Sequence, residues 1–248
     1  LTNATIIPAI SQNNLGQRNK VFFFSDKFNH SSINFGCHLT RQKVFRYNHL
    51  DLNHLENLLK KSSKLIPKII ITETVFSMDG DIVDIKSLRF LAKKYDALLY
   101  LDEAHSLGIF GKKGFGIASS DKYEKELVVG TFGKSFGSFG AFVSSEKNIY
   151  KKIVNSGNGL IYSTALTPGN YAAILEAIKI MPTLNKLRAS LIKNATFLIE
   201  ELNKLNFFTG KTKSHIIPII IGNNEECLDL QTYLRNRGFF VKAIRSPT

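Results

Sequence analysis

Short, continuous apolar runs alternate with segments of helical period along most of this chain. Residues 21–25 (Val-Phe-Phe-Phe-Ser), 68–72 (Lys-Ile-Ile-Ile-Thr), 97–101 (Ala-Leu-Leu-Tyr-Leu) and 127–129 (Leu-Val-Val) are brief and partly β-branched. Such runs predict strands buried on both faces. Between them, Leu52, Leu55, Leu58 and Leu59, then Ile85, Leu88, Leu91, Ala92 and Tyr95, recur at helical spacing. Strands alternating with helices predict an α/β fold with a mostly parallel sheet covered on both sides. Residues 140–143 (Gly-Ala-Phe-Val) follow 127–129 too closely for a helical crossover, which predicts an antiparallel neighbour.

The pattern changes at Met181-Pro182. Beyond it, Leu184, Leu187, Leu191, Ala195, Leu198, Leu202 and Leu205 form one amphipathic stripe. The stripe lacks sustained heptads with charged flanks, so core packing explains it better than a zipper. A strand over 216–221, a helix around 228–234 and a second strand over 239–244 are predicted to follow. The chain thus divides into a large domain, residues 1–181, and a small C-terminal α/β lobe, residues 182–248. Residues 1–9 start as an apolar helix and residues 243–248 stop just after a predicted strand. Neither end reads as a natural terminus, so both domains are expected to be incomplete.

Of the 248 residues, 44% are hydrophobic, ample for a core and too many for a disordered tail. No apolar run is long enough to span a bilayer, and no signal peptide opens the chain. Cys37 and Cys227 cannot build a disulfide framework, and a cytoplasmic enzyme is the default expectation. The net charge of +13 raises the question of a nucleic-acid partner. Its lysines are scattered, however, in pairs such as Lys60-Lys61 and Lys93-Lys94 near predicted helix ends, as a solvated surface requires. Neither a nucleic-acid nor a membrane partner is expected, and an acidic thioester substrate suits the charge equally well.

Ligands of parallel α/β sheets bind beyond the carboxyl ends of the strands, and three such ends carry polar residues here. They are 72–81 (Thr-Glu-Thr-Val-Phe-Ser-Met-Asp-Gly-Asp), 101–108 (Leu-Asp-Glu-Ala-His-Ser-Leu-Gly) and 130–141 (Gly-Thr-Phe-Gly-Lys-Ser-Phe-Gly-Ser-Phe-Gly-Ala). Asp102-Glu-Ala-His105 imitates the DEAH box of nucleic-acid helicases. A helicase also needs a phosphate-cradling loop upstream, whereas Gly133-Lys-Ser135 lies downstream and has Val128 where the first glycine belongs. Gly133-Lys-Ser-Phe-Gly137 fits the nucleophile elbow of a serine hydrolase, with Ser135 as nucleophile and His215 as base. That pattern is short, and His215 precedes an apolar run where a packed histidine is ordinary. No histidine or cysteine spacing suits a metal, and Asp79-Gly-Asp81 reads as a turn.

Taken together, the three loops suggest other chemistry. An aspartate at a buried strand end can hold a pyridine nitrogen protonated, and a lysine in a glycine-rich turn can form a Schiff base. His105, three residues beyond Asp102, can reach the same ring. These are the parts that pyridoxal phosphate requires.

On residues 28–32 (Phe-Asn-His-Ser-Ser), 74–81, 102–105, 131–134 (Thr-Phe-Gly-Lys) and 161–164 (Ile-Tyr-Ser-Thr), the chain resembles the α-oxoamine synthases along essentially its whole length. These are pyridoxal-phosphate enzymes of transferase fold type I, the fold of aspartate aminotransferase. The resemblance implies that Lys134 carries the cofactor and that Asp102 pairs with its ring nitrogen. It further implies that His105 bonds its phenolic oxygen, that Ser77 contacts it and that Thr131 binds its phosphate. His30 would stack on the ring and position substrate. Ser163 and Thr164 would approach the phosphate site of a partner subunit, implying a homodimer. Residues 214–218 (Ser-His-Ile-Ile-Pro) and 243–248 (Ala-Ile-Arg-Ser-Pro-Thr) resemble the biotin-pathway branch. That branch condenses L-alanine with pimeloyl-CoA or a pimeloyl carrier protein, with loss of carbon dioxide, to give 8-amino-7-oxononanoate. Branches that use glycine or serine, or make 5-aminolevulinate, share the site motifs. Ser106 departs from the pattern, since the biotin branch often has glycine there. Thr2-Asn3 would end a phosphate-binding segment lying before Leu1, and a carboxylate-binding arginine would lie beyond Thr248.

Overall fold

The computed structural model of the protein describes residues 1–12, 19–121 and 123–246. Six strands form one sheet: β1 (Phe22–Asp26), β2 (Lys43–Tyr47), β3 (Lys68–Glu73), β4 (Ala97–Asp102), β5 (Glu126–Thr131) and β6 (Ala141–Ser144). Their order is β2-β1-β3-β4-β5-β6, all parallel except β6, which runs antiparallel to β5. The four apolar runs and the antiparallel neighbour are therefore where the sequence pattern puts them. β2 escaped that pattern. It is an edge strand carrying Lys43 and Arg46, and only Tyr47 is buried. Charge on an edge protects unpaired backbone groups from further pairing and erases the apolar run that marks a central strand.

The helices are α1 (Thr2–Ile10), α2 (Ser31–Thr40), α3 (Leu52–Lys61), α4 (Ile85–Lys94), α5 (Lys147–Ser156), α6 (Asn158–Ile161), α7 (Pro168–Ile180), α8 (Asn185–Lys204) and α9 (Asn224–Arg235). Asp51 and Asp84 cap α3 and α4 by accepting from the amides of His54 and Ser87. Lys60, Lys61, Lys93 and Lys94 occupy the last turns, where positive charge complements the helix dipole. Leu55, Leu59, Leu88, Leu91 and Ala92 bury their stripe against Phe22, Phe24, Ile70, Leu99 and Leu101 on one sheet face. On the other face, Ile6, Ile7 and Ile10 of α1 and Ile33 and Cys37 of α2 pack on Phe23, Ile71, Tyr100 and Leu127. With its central strands covered on both faces, the sheet leaves the carboxyl ends of β1, β3, β4 and β5 as the place for polar chemistry. Among the described residues, no helix is long and apolar enough to cross a membrane.

Two expectations fail beyond Met181. Residues 216–221 and 239–244 are not strands. A strand exists only when its backbone pairs with a neighbour. Here the contacts are isolated, with Ile220 N–H donating to the Phe208 carbonyl (3.2 Å) and Ala243 N–H to Gln231 Oε1 (2.7 Å). The leucine stripe does form the predicted helix α8, but not a core. Ala195 alone is buried in it, while Leu187 is 65% and Leu198 47% exposed. Periodicity makes the helix amphipathic; burial needs a facing surface, and none covers this stripe among the described residues. Pro247 and Thr248 of the C-terminal motif lie outside the described residues.

Candidate active site

Asp102 is the last residue of β4 and pairs in register with Glu73, the last of β3, and with Val129 of β5. Both carboxylates thus leave the sheet at the same carboxyl end. The turn after β5 carries Lys134, closed by a bond from the Gly137 amide to the Lys134 carbonyl (3.0 Å). Gly137 there has φ +59, a left-handed conformation that favours glycine. His30 caps α2, its Nδ1 accepting from the Ser32 amide at 3.2 Å. A cleft of about 250 Å³ opens between these ends, lined by His30, Asp102, His105, Thr131 and Lys134. Five of the residues singled out from the sequence therefore meet in one place.

Lys134 Nζ lies 2.8 Å from His105 Nε2. Burial of the amine in the cleft holds Lys134 below the ordinary lysine range, although Asp102 and Glu73 pull it back up. Burial likewise lowers His105 to about 4, assisted by the positive charge of Lys134. His105 is thus neutral at physiological pH and can accept a hydrogen bond from the amine. Asp102 is 6% exposed, and its Oδ1 accepts from the Ala104 amide at 3.0 Å. An amine whose charge burial disfavours, a buried carboxylate and two imidazoles around one cleft fit the donor set that a pyridoxal phosphate ring needs.

The remaining sequence candidates lie elsewhere. Ser77 is in the turn after β3, outside the cleft wall. Ser163 and Thr164 are exposed between α6 and α7. Ser135 Oγ donates to the Leu107 carbonyl at 2.6 Å, and no histidine accepts from it among the described residues. That geometry leaves Ser135 without the base a hydrolase nucleophile needs. His215 packs beside Phe110, with ring centroids 6.0 Å apart. The Glu103 carboxylate of the helicase-like motif turns away from the cleft to accept from the amides of Ile117 (3.1 Å) and Ala118 (2.5 Å). Ser106, the departure from the family pattern, is fully buried and hydrogen-bonds Thr74 Oγ1 at 2.9 Å. Its hydroxyl is satisfied, so the substitution for glycine is accommodated.

Glu73 also belongs to the site, although no motif marks it within its loop, residues 72–81. It is 2% exposed, and its Oε1 accepts from the His30 amide at 2.5 Å. Burial, reinforced by the Asp102 charge, raises its carboxyl from 4.5 to about 7. Between those values the folded protein holds a proton that the unfolded chain has lost. The resulting contribution to stability is full below pH 4.5 and is lost as pH rises through about 7. Glu73→Gln should remove this dependence. Between about pH 5 and about pH 8, urea unfolding of the cofactor-free wild type should lose roughly 2–3 kcal/mol that the variant retains. Parallel pH profiles for the two proteins would show that Glu73 is not protonated in the fold.

Residues 13–248 match the aminotransferase class I and II family. The chain is 38% identical over 248 residues to the 8-amino-7-oxononanoate synthase of Gluconacetobacter diazotrophicus, covering 99% of the chain and 62% of that protein. Its fold superposes with TM-score 0.90 on S. paucimobilis serine palmitoyltransferase with a bound PLP–myriocin aldimine, at 28% identity over 99% of this chain and 61% of that one. It also superposes with TM-score 0.85 on 8-amino-7-oxononanoate synthase from Francisella tularensis, at 30% identity over 99% of this chain and 70% of that one. The architecture is that of the fold type I transferases, and the chain spans about 62% of the length of the curated relatives it matches. On this evidence the chain belongs to the aminotransferase class I and II family.

Proposed function

We propose that the protein condenses L-alanine with a pimeloyl thioester, on CoA or on a carrier protein, with loss of carbon dioxide, to give 8-amino-7-oxononanoate. The observation that carries this reading is the 2.8 Å approach of Lys134 Nζ to His105 Nε2 beside the buried Asp102 carboxylate. The name of the 38%-identical Gluconacetobacter relative supports the choice of substrates. Pyridoxal phosphate, when bound, supplies an electron sink for the carbanion at the amino-acid Cα. The residues do the rest. Lys134, its amine weakened as an acid-holder by burial, serves first as nucleophile and then as the base that takes the Cα proton. Asp102 would hold the ring nitrogen, and neutral His105 orients the amine and would hold the phenolic oxygen. His30 would cover the ring face and exclude water from it, and Thr131 would anchor the cofactor's periphery. Within the same reading, residues 1–181 form the cofactor-binding domain and residues 182–248 belong to the small domain. The enzyme works as a cytoplasmic homodimer, with Ser163 and Thr164 reaching the partner's phosphate site.

The test uses the intact protein with pyridoxal phosphate, its visible spectrum taken before and after borohydride, followed by peptide mapping and product analysis. The expected result is a visible lysine-linked cofactor band that reduction fixes onto Lys134, and 8-amino-7-oxononanoate formed from alanine and pimeloyl-CoA. No band, or a label on another lysine, would overturn the reading. A band on Lys134 with turnover only of glycine or serine would move the protein to another branch of the same chemistry.

A further inference from the structure

We propose that Asn3 is a positioning residue that holds Asp102 and, through Ser32, His30 in the arrangement a bound pyridine ring requires. The inference rests on the cofactor reading above and gives a role in the cleft to a residue that the family resemblance placed only at the end of a phosphate-binding segment. Asn3 lies in the first turn of α1 and is 7% exposed. Its Nδ2 donates to Asp102 Oδ2 at 2.8 Å and to Ser32 Oγ at 3.0 Å. Its Oδ1 accepts from the fully buried Tyr100 hydroxyl at 2.5 Å. The amide can face only one way, because an ionised carboxylate accepts and never donates. Both of its N–H groups are therefore spent on residues that govern the cleft.

The second arm continues to His30. Ser32 Oγ, which accepts from Asn3, has its own proton free for His30 Nδ1, 2.7 Å away. The Ser32 amide donates to the same nitrogen at 3.2 Å. With Nδ1 accepting, the ring proton belongs on Nε2, and the imidazole is fixed in both tautomer and orientation. One side chain on α1 thus sets a group at the end of β4 and a group at the start of α2. The close approach of the two helices makes this reach possible. A Cβ added at Gly36 of α2 would lie 2.6 Å from the Asn3 carbonyl oxygen and 2.9 Å from Ile7 Cδ1. Glycine at that point lets α1 settle deep enough for the Asn3 amide to touch Asp102.

The arrangement is tested in the intact holoenzyme with Asn3→Leu, which keeps the branched shape and removes the donors, and with Ser32→Ala, which cuts only the second arm. The readouts are cofactor dissociation, the pH titration of the visible cofactor band, and KM against kcat. Asn3→Leu should weaken cofactor binding about tenfold or more, as loss of an orienting outer partner does at other sites. It should also move the midpoint of the band's pH titration and lower kcat with little change in KM. Ser32→Ala should lower kcat through His30 while leaving that midpoint in place, and its small side chain keeps the α1 core intact should Asn3→Leu fold poorly. A residue that merely packs α1 would alter thermal stability without moving the titration. Wild-type titration, affinity and kcat in both variants would overturn the role of Asn3 and leave the cofactor reading standing. Absence of any band in the unaltered protein would instead overturn the cofactor reading, and this inference with it.

Discussion

Replacing Lys134 with alanine should lower turnover of the intact enzyme by about 10⁴-fold or more, because one amine performs two tasks. It must attack as a nucleophile, and it must later take a proton from carbon. Both need a neutral amine near neutral pH, and burial in the cleft pushes Lys134 in that direction. Lys134→Arg should fail almost as badly, since a guanidinium stays protonated and is no nucleophile. Neither change should cost much stability. The side chain makes a single hydrogen bond, to His105, from a turn that is itself exposed. Stability within about 1 kcal/mol of wild type is therefore expected, as for most changes away from a packed core. Activity within tenfold of wild type in the alanine variant would remove Lys134 from the chemistry.

The largest effect on stability is expected far from the cleft. Arg89 of α4 and Glu126 of β5 are each 7% exposed and form a two-pronged pair, with Nε–Oε2 and Nη2–Oε1 both at 2.8 Å. The guanidinium also donates to the carbonyls of Ala118 and Ser120, so its donors are almost fully used. Arg89→Ala should destabilise the protein by about 3–5 kcal/mol, because it strands a buried carboxylate. Urea unfolding would measure this. Arg89→Met with Glu126→Leu should recover much of the loss, since a pair replaced by apolar groups leaves no orphaned charge. A loss below about 1 kcal/mol in the single variant would mean that water reaches the carboxylate and that the pair is in effect a surface one.

How far these features can be seen in the chain depends on the separation of the residues that make them. The central strands announce themselves because runs such as Ile69-Ile70-Ile71 contain no polar residue for either face. Helices α3 and α4 do so through leucine spacing, an aspartate cap and terminal lysines, all within ten residues of one another. Lys134, Asp102 and His105 are legible for a similar reason, since each sits in a short polar loop after a strand, and parallel strands send those loops to one side. Glu73 shares such a loop but carries no motif of its own. Its role arises from the adjacency of β3 and β4, which sets it beside Asp102.

The parallel core, its helices and the convergence of three polar loops are written in the chain, because they follow from periodicity and from strand direction. The rest depends on contacts between residues far apart in the chain. Asn3 meets Asp102 across 99 residues, and Arg89 meets Glu126 across 37, and no local pattern encodes either partner. The same limit governs residues 216–221 and 239–244, which are apolar enough for strands yet have no ladder to join. It governs α8 as well, whose stripe predicts a helix but not the surface that would bury it. Local energetics selects backbone conformation from neighbours in sequence, whereas pairing and burial depend on which surfaces the whole chain brings together.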